Sequence, residues 1–122
     1  MADTPRSLVR PRLRAYRGKD VILGPGKAEL LGLIAETGSL REAARMMKMS
    51  YMKAWTLVQV MNRSFRSPLV SAERGGSRGG GAMLTRTGKT VLELYREMDA
   101  LSLAAIKEPA RRLERLLTAK KS

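Results

Sequence analysis

The sequence contains neither cysteine nor histidine, so it lacks the side chains behind much of protein catalysis and metal binding. Without cysteine there are no disulfides or thiol nucleophiles, and without either residue the usual zinc ligand sets cannot form. The carboxylates are scattered along the chain, so no acid/base pair or activated nucleophile is assembled. We therefore expect a protein that is not an enzyme and that uses no metal or cofactor.

Long apolar runs are also missing. No stretch is long enough to span a bilayer, and the basic N-terminus lacks the uninterrupted apolar segment of a signal peptide. The absence of cysteine suits a reducing compartment. We expect a soluble, cytoplasmic protein with no membrane partner.

Acidic residues are scarce. The chain has 24 Lys and Arg against 11 Asp and Glu, a net charge of +13 and a pI near 11.1. Between Ala43 and Ala72 there is no acidic residue, whereas an ordinary solvated face mixes both signs. The basic residues of this acid-free run are Arg45, Lys48, Lys53, Arg63 and Arg66. The imbalance implies a polyanionic partner, with nucleic acid first and an anionic membrane second.

Two apolar stripes at helical spacing lie between Gly38 and Phe65. The first consists of Leu40, Ala43, Ala44 and Met47, and the second of Ala54, Val58, Met61 and Phe65. Ser39 and Ser50 stand at the N-cap positions, and Lys48-Met49 forms the short break. The small Ala43-Ala44 pair lets the two helices cross closely. This pattern predicts a helix-turn-helix, although any αα corner of a small helical domain would show the same spacing.

On a wheel of 100° per residue, the second helix presents an outer face opposite its apolar stripe. The predicted DNA contacts are Ser50, Tyr51, Met52, Lys53, Thr56, Gln59 and Arg63. Met52, Lys53 and Thr56 lie in the half of the helix that goes deepest into the major groove, so we assign them to base edges, with Gln59 next and Arg63 on phosphate. Ser50 caps the helix beside a phosphate. Tyr51 can stack or hydrogen-bond to a phosphate, although its position on the wheel leans toward the core, and Trp55 lies at the core boundary.

Two short strands joined by a Gly-rich basic tip follow the second helix. Pro68-Leu69-Val70 begins the first strand, Met83-Leu84-Thr85 forms the second, and RGGSRGGG lies between them. These features predict the wing of a winged helix, in which Arg74 and Arg78 contact phosphates or the minor groove. A flexible linker is the alternative.

The N-terminal part is read as an arm, a hairpin and a supporting helix. Residues 1–10 are a flexible basic arm. The alternating segment from Arg12 to Arg17 and the run Val21-Ile22-Leu23 predict a small hairpin, with an irregular basic arm as the alternative. Arg12 and Arg14 are further phosphate or minor-groove candidates. A supporting helix is expected from Lys27 to Thr37, ended by Gly38.

The C-terminal part is predicted to be helical. Thr87 can cap a long helix from about Gly88 to Ile106, for which we expect a dimer interface, with burial against its own domain as the alternative. Its apolar positions are Val91, Leu94, Tyr95, Met98, Leu101 and Ala105. A last amphipathic helix, Ala110 to Lys120, is expected to dock on a partner rather than lie on a membrane.

The prediction is therefore a mainly α fold with a small β wing: a winged helix-turn-helix over residues 11–87 and C-terminal dimerisation helices over 88–122. The predicted function is a homodimeric, sequence-specific regulator that binds double-stranded DNA. The alternative is a non-specific, nucleoid-associated DNA- or RNA-binding protein that uses charge alone. The ratio of specific to non-specific affinity separates the two.

The segments GSLREAARMMKMSYMKAW, MNRSFRSPLV and RGGSRGGGAMLTRTGKTVLELY closely resemble the N-terminal DNA-binding domain of the ModE family of molybdate-responsive regulators. The resemblance covers about Pro11 to Asp99. LysR-like helix-turn-helix domains share parts of it, but the Ala54-Trp55 pair and the glycine run separate the two. The resemblance implies a homodimeric winged-helix transcription factor. The oxyanion-binding domain of full-length members is not expected from residues 106–122, so molybdate is an unlikely partner.

Overall fold

The structure is a computed structural model that describes residues 8–73 and 81–118 of the chain. Within these ranges the fold is mainly α, with two small antiparallel sheets. The elements in chain order are β1 (Ala15–Arg17), β2 (Asp20–Leu23), α1 (Pro25–Thr37), α2 (Leu40–Met46), α3 (Tyr51–Ser64), β3 (Val70–Glu73), β4 (Gly81–Leu84), α4 (Arg86–Ala105) and α5 (Lys107–Glu114). Strand β1 pairs with β2 and β3 with β4, so the predicted N-terminal hairpin is confirmed.

Helix α1 is the central element of the core. Its side chains Leu30, Leu31 and Ile34 are completely buried, and the helix contacts α2, α3, α4 and β4. Gly38 ends α1 as expected: it adopts a left-handed φ of 69°, and its N–H donates to the Ile34 carbonyl at 2.8 Å. A residue with a Cβ would be strained there. The helix thus supports four elements of the fold through its buried side.

Helices α2 and α3 begin at the serines that the sequence indicates. The Ser39 hydroxyl accepts from the Glu42 N–H at 3.0 Å, and the Ser50 hydroxyl accepts from the Lys53 N–H at 3.0 Å. Ala43 and Ala44 are buried, which allows the close crossing expected of small residues. Lys48 adopts φ 59° in the break, so the chain reverses without a longer loop. The predicted caps and break are confirmed.

The root of the β3–β4 hairpin is fixed to α3 by one side chain. The Asn62 amide oxygen accepts from the N–H groups of Leu69 at 2.8 Å and Val70 at 3.1 Å, and its amide nitrogen donates to the Val70 carbonyl at 3.1 Å. On the other edge, the Ala82 N–H donates to the Gly38 carbonyl at 3.0 Å. The hairpin is therefore held beside α3 from both of its strands.

Three of the predicted helices have different boundaries in the structure. Helix α4 begins at Arg86 because Thr85, not Thr87, is its cap and accepts from the Gly88 N–H at 2.9 Å. Helix α1 begins at Pro25 rather than Lys27, and α5 covers Lys107–Glu114 rather than Ala110 to Lys120. Both helices hold a proline in their first turn, where its missing N–H costs no intrahelical hydrogen bond. The last predicted residues, 119–122, lie outside the described residues.

Candidate nucleic-acid interface

The outer side of α3 is an exposed ridge, which we define as Met52, Lys53, Thr56, Gln59 and Arg63. Met52 is 63% exposed, Lys53, Thr56 and Arg63 are exposed, and Gln59 is half-buried. The opposite side carries the buried Ala54, Val58 and Met61. Met52 and Lys53 are the second and third residues of α3, so their side chains project from its first turn. The structure therefore brings the predicted base-contacting residues together on one solvent-facing side.

The N-terminus of α3 carries Ser50 and Tyr51, which were both predicted to lie near phosphate. Ser50 is exposed and its hydroxyl oxygen is engaged as the helix cap. Tyr51 is 37% exposed, so the expectation that it leans into the core is wrong. The Arg41 guanidinium lies 5.0 Å from the centre of the Tyr51 ring, a cation–π distance. This contact from α2 holds the ring at the surface.

A groove runs between α3 and the β3–β4 hairpin on one flank of the ridge. We call it the aromatic groove, and it is lined chiefly by Tyr51, Trp55, Gln59, Asn62, Ala72 and Gly81. Trp55 was placed at the core boundary by the sequence and is 43% exposed. Sequence reasoning missed Asn62, although a polar side chain next to the buried Met61 near the end of a helix is the signal that marks it.

Glu42, which directly precedes the acid-free run, neutralises one of the positive charges of that run. Arg45 pairs with Glu42 one turn earlier on α2, with its Nε 3.1 Å from a carboxylate oxygen. The hydrogen bond from Arg45 holds the pKa of Glu42 below its ordinary value, so the pair stays charged and its net charge is zero. The other basic residues of the run, Lys48, Lys53, Arg63 and Arg66, are exposed. These four supply the positive field around α3.

The two wing arginines, Arg74 and Arg78, lie outside the described residues. The strands beside them are described: Ser71 and Ala72 are exposed on β3, and Met83 is 48% exposed on β4. Strand β3 thus presents small side chains before the glycine-rich connection, whereas β4 presents the larger Met83 after it.

Neither a metal site nor a membrane span is found in residues 8–73 and 81–118. These residues contain no group of three or more potential metal-ligating side chains. None of their helices is long and apolar enough to cross a membrane.

The chain matches no known family model. It is similar to the molybdenum-pterin-binding protein MopB of Rhodobacter capsulatus, with 41% identity over 78 residues that make up 64% of this chain and 29% of MopB. The molybdenum transport protein ModE of Azotobacter vinelandii is 33% identical over 91 residues, which are 75% of this chain and 34% of that protein. The DNA-binding transcriptional dual regulator ModE of Escherichia coli K12 is 39% identical over 71 residues, or 58% and 27% of the two chains.

These relatives define a class of transcriptional regulators and molybdenum-pterin-binding proteins. The chain is similar to a part of these ModE and Mop proteins, and the matched residues span between 27% and 34% of the length of the three. The similarity is consistent with a role in regulation. It does not support the expectation that molybdate is an unlikely partner, because MopB is named as a molybdenum-pterin-binding protein.

Proposed function

We propose that the chain is a sequence-specific DNA-binding unit of a ModE-like transcriptional regulator. In this proposal α2 and α3 form a helix-turn-helix, α3 enters the major groove, and the β3–β4 hairpin is the wing. The observation that carries the proposal is the exposed ridge of α3, which lies in the acid-free run of the sequence together with the exposed Lys48 and Arg66. One relative is named as a DNA-binding transcriptional regulator, which supports the same function.

The residue types of the ridge match base edges in the major groove. Lys53 donates to the guanine acceptors, Gln59 pairs with adenine, and Met52 and the Thr56 methyl group pack against thymine methyl groups. Arg63 lies near the end of α3 and is assigned to phosphate. The phosphate contacts assigned to Ser50, Tyr51, Arg74 and Arg78 complete the proposed site.

Homodimerisation is the second part of the proposal. The first half of α4 packs into the core through Val91, Leu92 and Tyr95. Apolar side chains then continue on its surface, where Leu94 is 51% exposed and Leu101 is 62% exposed. We propose that the exposed apolar side chains within residues 88–122 pair two copies, without the polar positions between them, while residues 11–87 read DNA. A two-fold pair would place two α3 helices on two half-sites.

The test begins with selection of bound fragments from genomic DNA. Affinity for the selected duplex and for a scrambled duplex is then measured for the wild type, Lys53→Ala and Thr56→Ala. A lost base contact is worth about 1–3 kcal/mol, or roughly a 5- to 150-fold loss on the selected duplex. We expect a much smaller loss on the scrambled duplex, because base contacts do not contribute there.

The matched controls are Lys107→Ala and Thr90→Ala, which remove the same side-chain types from exposed positions outside α3. Both should bind the selected duplex like the wild type. If the wild type binds every duplex equally, or if the α3 variants lose affinity equally on both duplexes, base reading by α3 is refuted. The non-specific nucleoid-type function would then be the better account.

Molybdate binding is the second candidate, and the similarity to MopB and ModE favours it. Equilibrium dialysis of the chain with molybdate, with sulfate as the competing oxyanion, measures it directly. Saturable binding that sulfate does not displace would support this function. Equal, weak retention of both anions would reflect the net charge of +13 alone.

A further inference from the structure

A second basic surface lies on the flank of α3 away from the β3–β4 hairpin. It is an open cleft between the N-terminal hairpin, the first turn of α1 and the first half of α3. The charged side chains that line it are Arg12, Arg14, Lys27 and Lys53, and we call it the basic cleft. Its remaining lining is apolar or glycine, with Met49 and Leu57 from the α3 side. Four cations with no carboxylate between them form a site for polyanions.

The segment that supplies Arg12 and Arg14 is fixed in place. The residue between them, Leu13, packs against the core, and its carbonyl accepts a hydrogen bond from the Tyr95 hydroxyl at 2.9 Å. The two arginines flanking Leu13 are exposed. A Cβ at Gly24 would lie 3.3 Å from the Cγ of Arg14, so the stem of this arginine lies over that glycine.

Lys27 is held in a similar way. Its Nζ donates to the Val21 carbonyl at 3.2 Å, which ties the start of α1 to strand β2. The lysine keeps further N–H donors for a ligand, since an ammonium group has three. Because Arg14 and Lys27 already have these contacts, a bound anion has less conformational entropy to remove than it would at a flexible tail.

The position of the cleft relative to α3 decides what it binds. Met49, Lys53 and Leu57 face the basic cleft, whereas Tyr51, Trp55 and Gln59 face the aromatic groove and the hairpin. Met52, Thr56 and Arg63 lie between these two flanks and are exposed. A helix in the major groove, which is about 12 Å wide, has one phosphate backbone on each of its flanks. The two flanks of α3 therefore meet different DNA strands.

We propose that Arg12, Arg14 and Lys27 of the basic cleft bind backbone phosphates of the DNA strand opposite to the one that the β3–β4 hairpin contacts, while Lys53 at the edge of the cleft keeps its proposed base contact. The N-terminal hairpin is then a second clamp, and the reading helix is held from both sides. The inference rests on the proposed function for the placement of α3 in the groove. It does not depend on sequence specificity, because phosphate contacts position a protein without reading bases.

The first test compares the double variant Arg12→Gln/Arg14→Gln with the control Lys107→Gln/Arg115→Gln. Both lose the same charge, and the control residues are exposed on or beside α5. The slope of log affinity against log salt falls by about 0.9 for each lost phosphate contact. We expect a shallower slope by roughly 1–2 per bound protomer for the cleft variant and an unchanged slope for the control. Equal slopes for the two variants would overturn the proposal.

The second test locates the phosphates by ethylation interference on the bound duplex. The wild type should show two clusters of essential phosphates, one on each strand beside the α3 groove. The cleft variant should lose one cluster only, and the control variant should keep both. Loss of phosphates on the hairpin strand, or uniform weakening of both clusters, contradicts the assignment.

A free oxyanion is the competing occupant of the cleft. Titration calorimetry with inorganic phosphate and with molybdate would show saturable binding that Arg12→Gln/Arg14→Gln abolishes while DNA affinity stays unchanged; that result overturns the proposal. Failure of the proposed function gives a different result from failure of this inference. A wild type that binds all duplexes equally refutes base reading by α3. The salt slopes and the ethylation interference patterns still decide whether the basic cleft binds phosphates.

Discussion

At the scale of single residues, Gly88 is the point where the first turn of α4 packs against the backbone of Leu69, directly before β3. A Cβ at this position would lie 2.1 Å from the carbonyl oxygen of Leu69, which is backbone and cannot rotate away. The same contact region is held by Thr85, whose hydroxyl donates to the Pro68 carbonyl at 2.7 Å and accepts from the Gly88 N–H. The first turn of α4 thus touches the chain directly before β3.

Gly88→Ala should destabilise the fold strongly. The overlap forces α4 and the hairpin root apart, and overpacking of this kind costs typically about 1–3 kcal/mol, with more expected where the clash is with backbone. Urea denaturation followed by circular dichroism measures the loss in unfolding free energy. We also expect reduced DNA affinity, because the hairpin moves relative to α3.

Gly26→Ala is the matched control. Gly26 lies in the first turn of α1, and a Cβ there meets no atom within 4 Å. Alanine is the better helix former by up to about 1 kcal/mol, so the variant should be as stable as the wild type or slightly more stable. Similar losses for both variants would show that the Leu69 contact is not the cause.

At the scale of elements, the segment before β1 depends on a partner far away in sequence. Tyr95 of α4 reaches the Leu13 carbonyl, and the ring is buried. Burial raises the pKa of the Tyr95 hydroxyl above its ordinary value, and nearby Asp99 adds to this, while Arg12 and Arg14 act in the opposite direction. The neutral phenol that donates to Leu13 is therefore the favoured form.

Tyr95→Phe should lower the unfolding free energy by about 1 kcal/mol at neutral pH, because the Leu13 carbonyl loses its donor. A folded pKa above the unfolded value of about 10 means that the tyrosine's contribution is complete below pH ~10 and is lost as the pH rises through the raised pKa. Stability measured from neutral to strongly alkaline pH should thus fall more steeply for the wild type than for the variant.

The control for this change is Tyr16→Phe, since Tyr16 is 58% exposed on β1. Its alkaline stability profile should match that of the wild type. If Tyr95→Phe also follows the wild-type profile, the Tyr95–Leu13 hydrogen bond does not anchor the segment before β1. The salt dependence of DNA binding by Tyr95→Phe is then compared with that of the wild type. Because the variant keeps every basic side chain, a changed slope would reflect the position of the segment before β1 and not a lost charge.

At the scale of the whole molecule, half of the exposed large apolar side chains in the described residues lie on the C-terminal helices or directly after them. Seven large side chains are exposed there, among them Leu116 at 81%. They are Leu94, Met98, Leu101, Leu103, Leu113, Leu116 and Leu117. Contiguous exposed apolar surface usually marks a protein interface.

Leu94→Glu/Leu101→Glu should dissociate the proposed homodimer, because two buried carboxylates per copy would face apolar side chains. Analytical ultracentrifugation at micromolar concentration should give half the wild-type mass. The control Met46→Glu/Met83→Glu changes two side chains that are 47% and 48% exposed on other elements, and it should keep the wild-type mass. A monomeric wild type at the same concentration would refute dimerisation.

The sequence by itself determined the features that neighbouring residues encode. The caps Ser39 and Ser50, the stop at Gly38 and the apolar spacing of α3 each act over a few residues, so their effects could be predicted. The exposed sides of Met52 and Thr56 followed from the period of the helix alone.

Only the tertiary structure decided the features that join distant residues. Thr85 and Thr87 are both good caps, and the contact with Pro68 places Thr85 at the start of α4. The Asn62 clasp and the Tyr95–Leu13 hydrogen bond depend on packing that brings separate segments together. The basic cleft exists for the same reason, because side chains far apart in the chain line one surface only after α1 has organised the core.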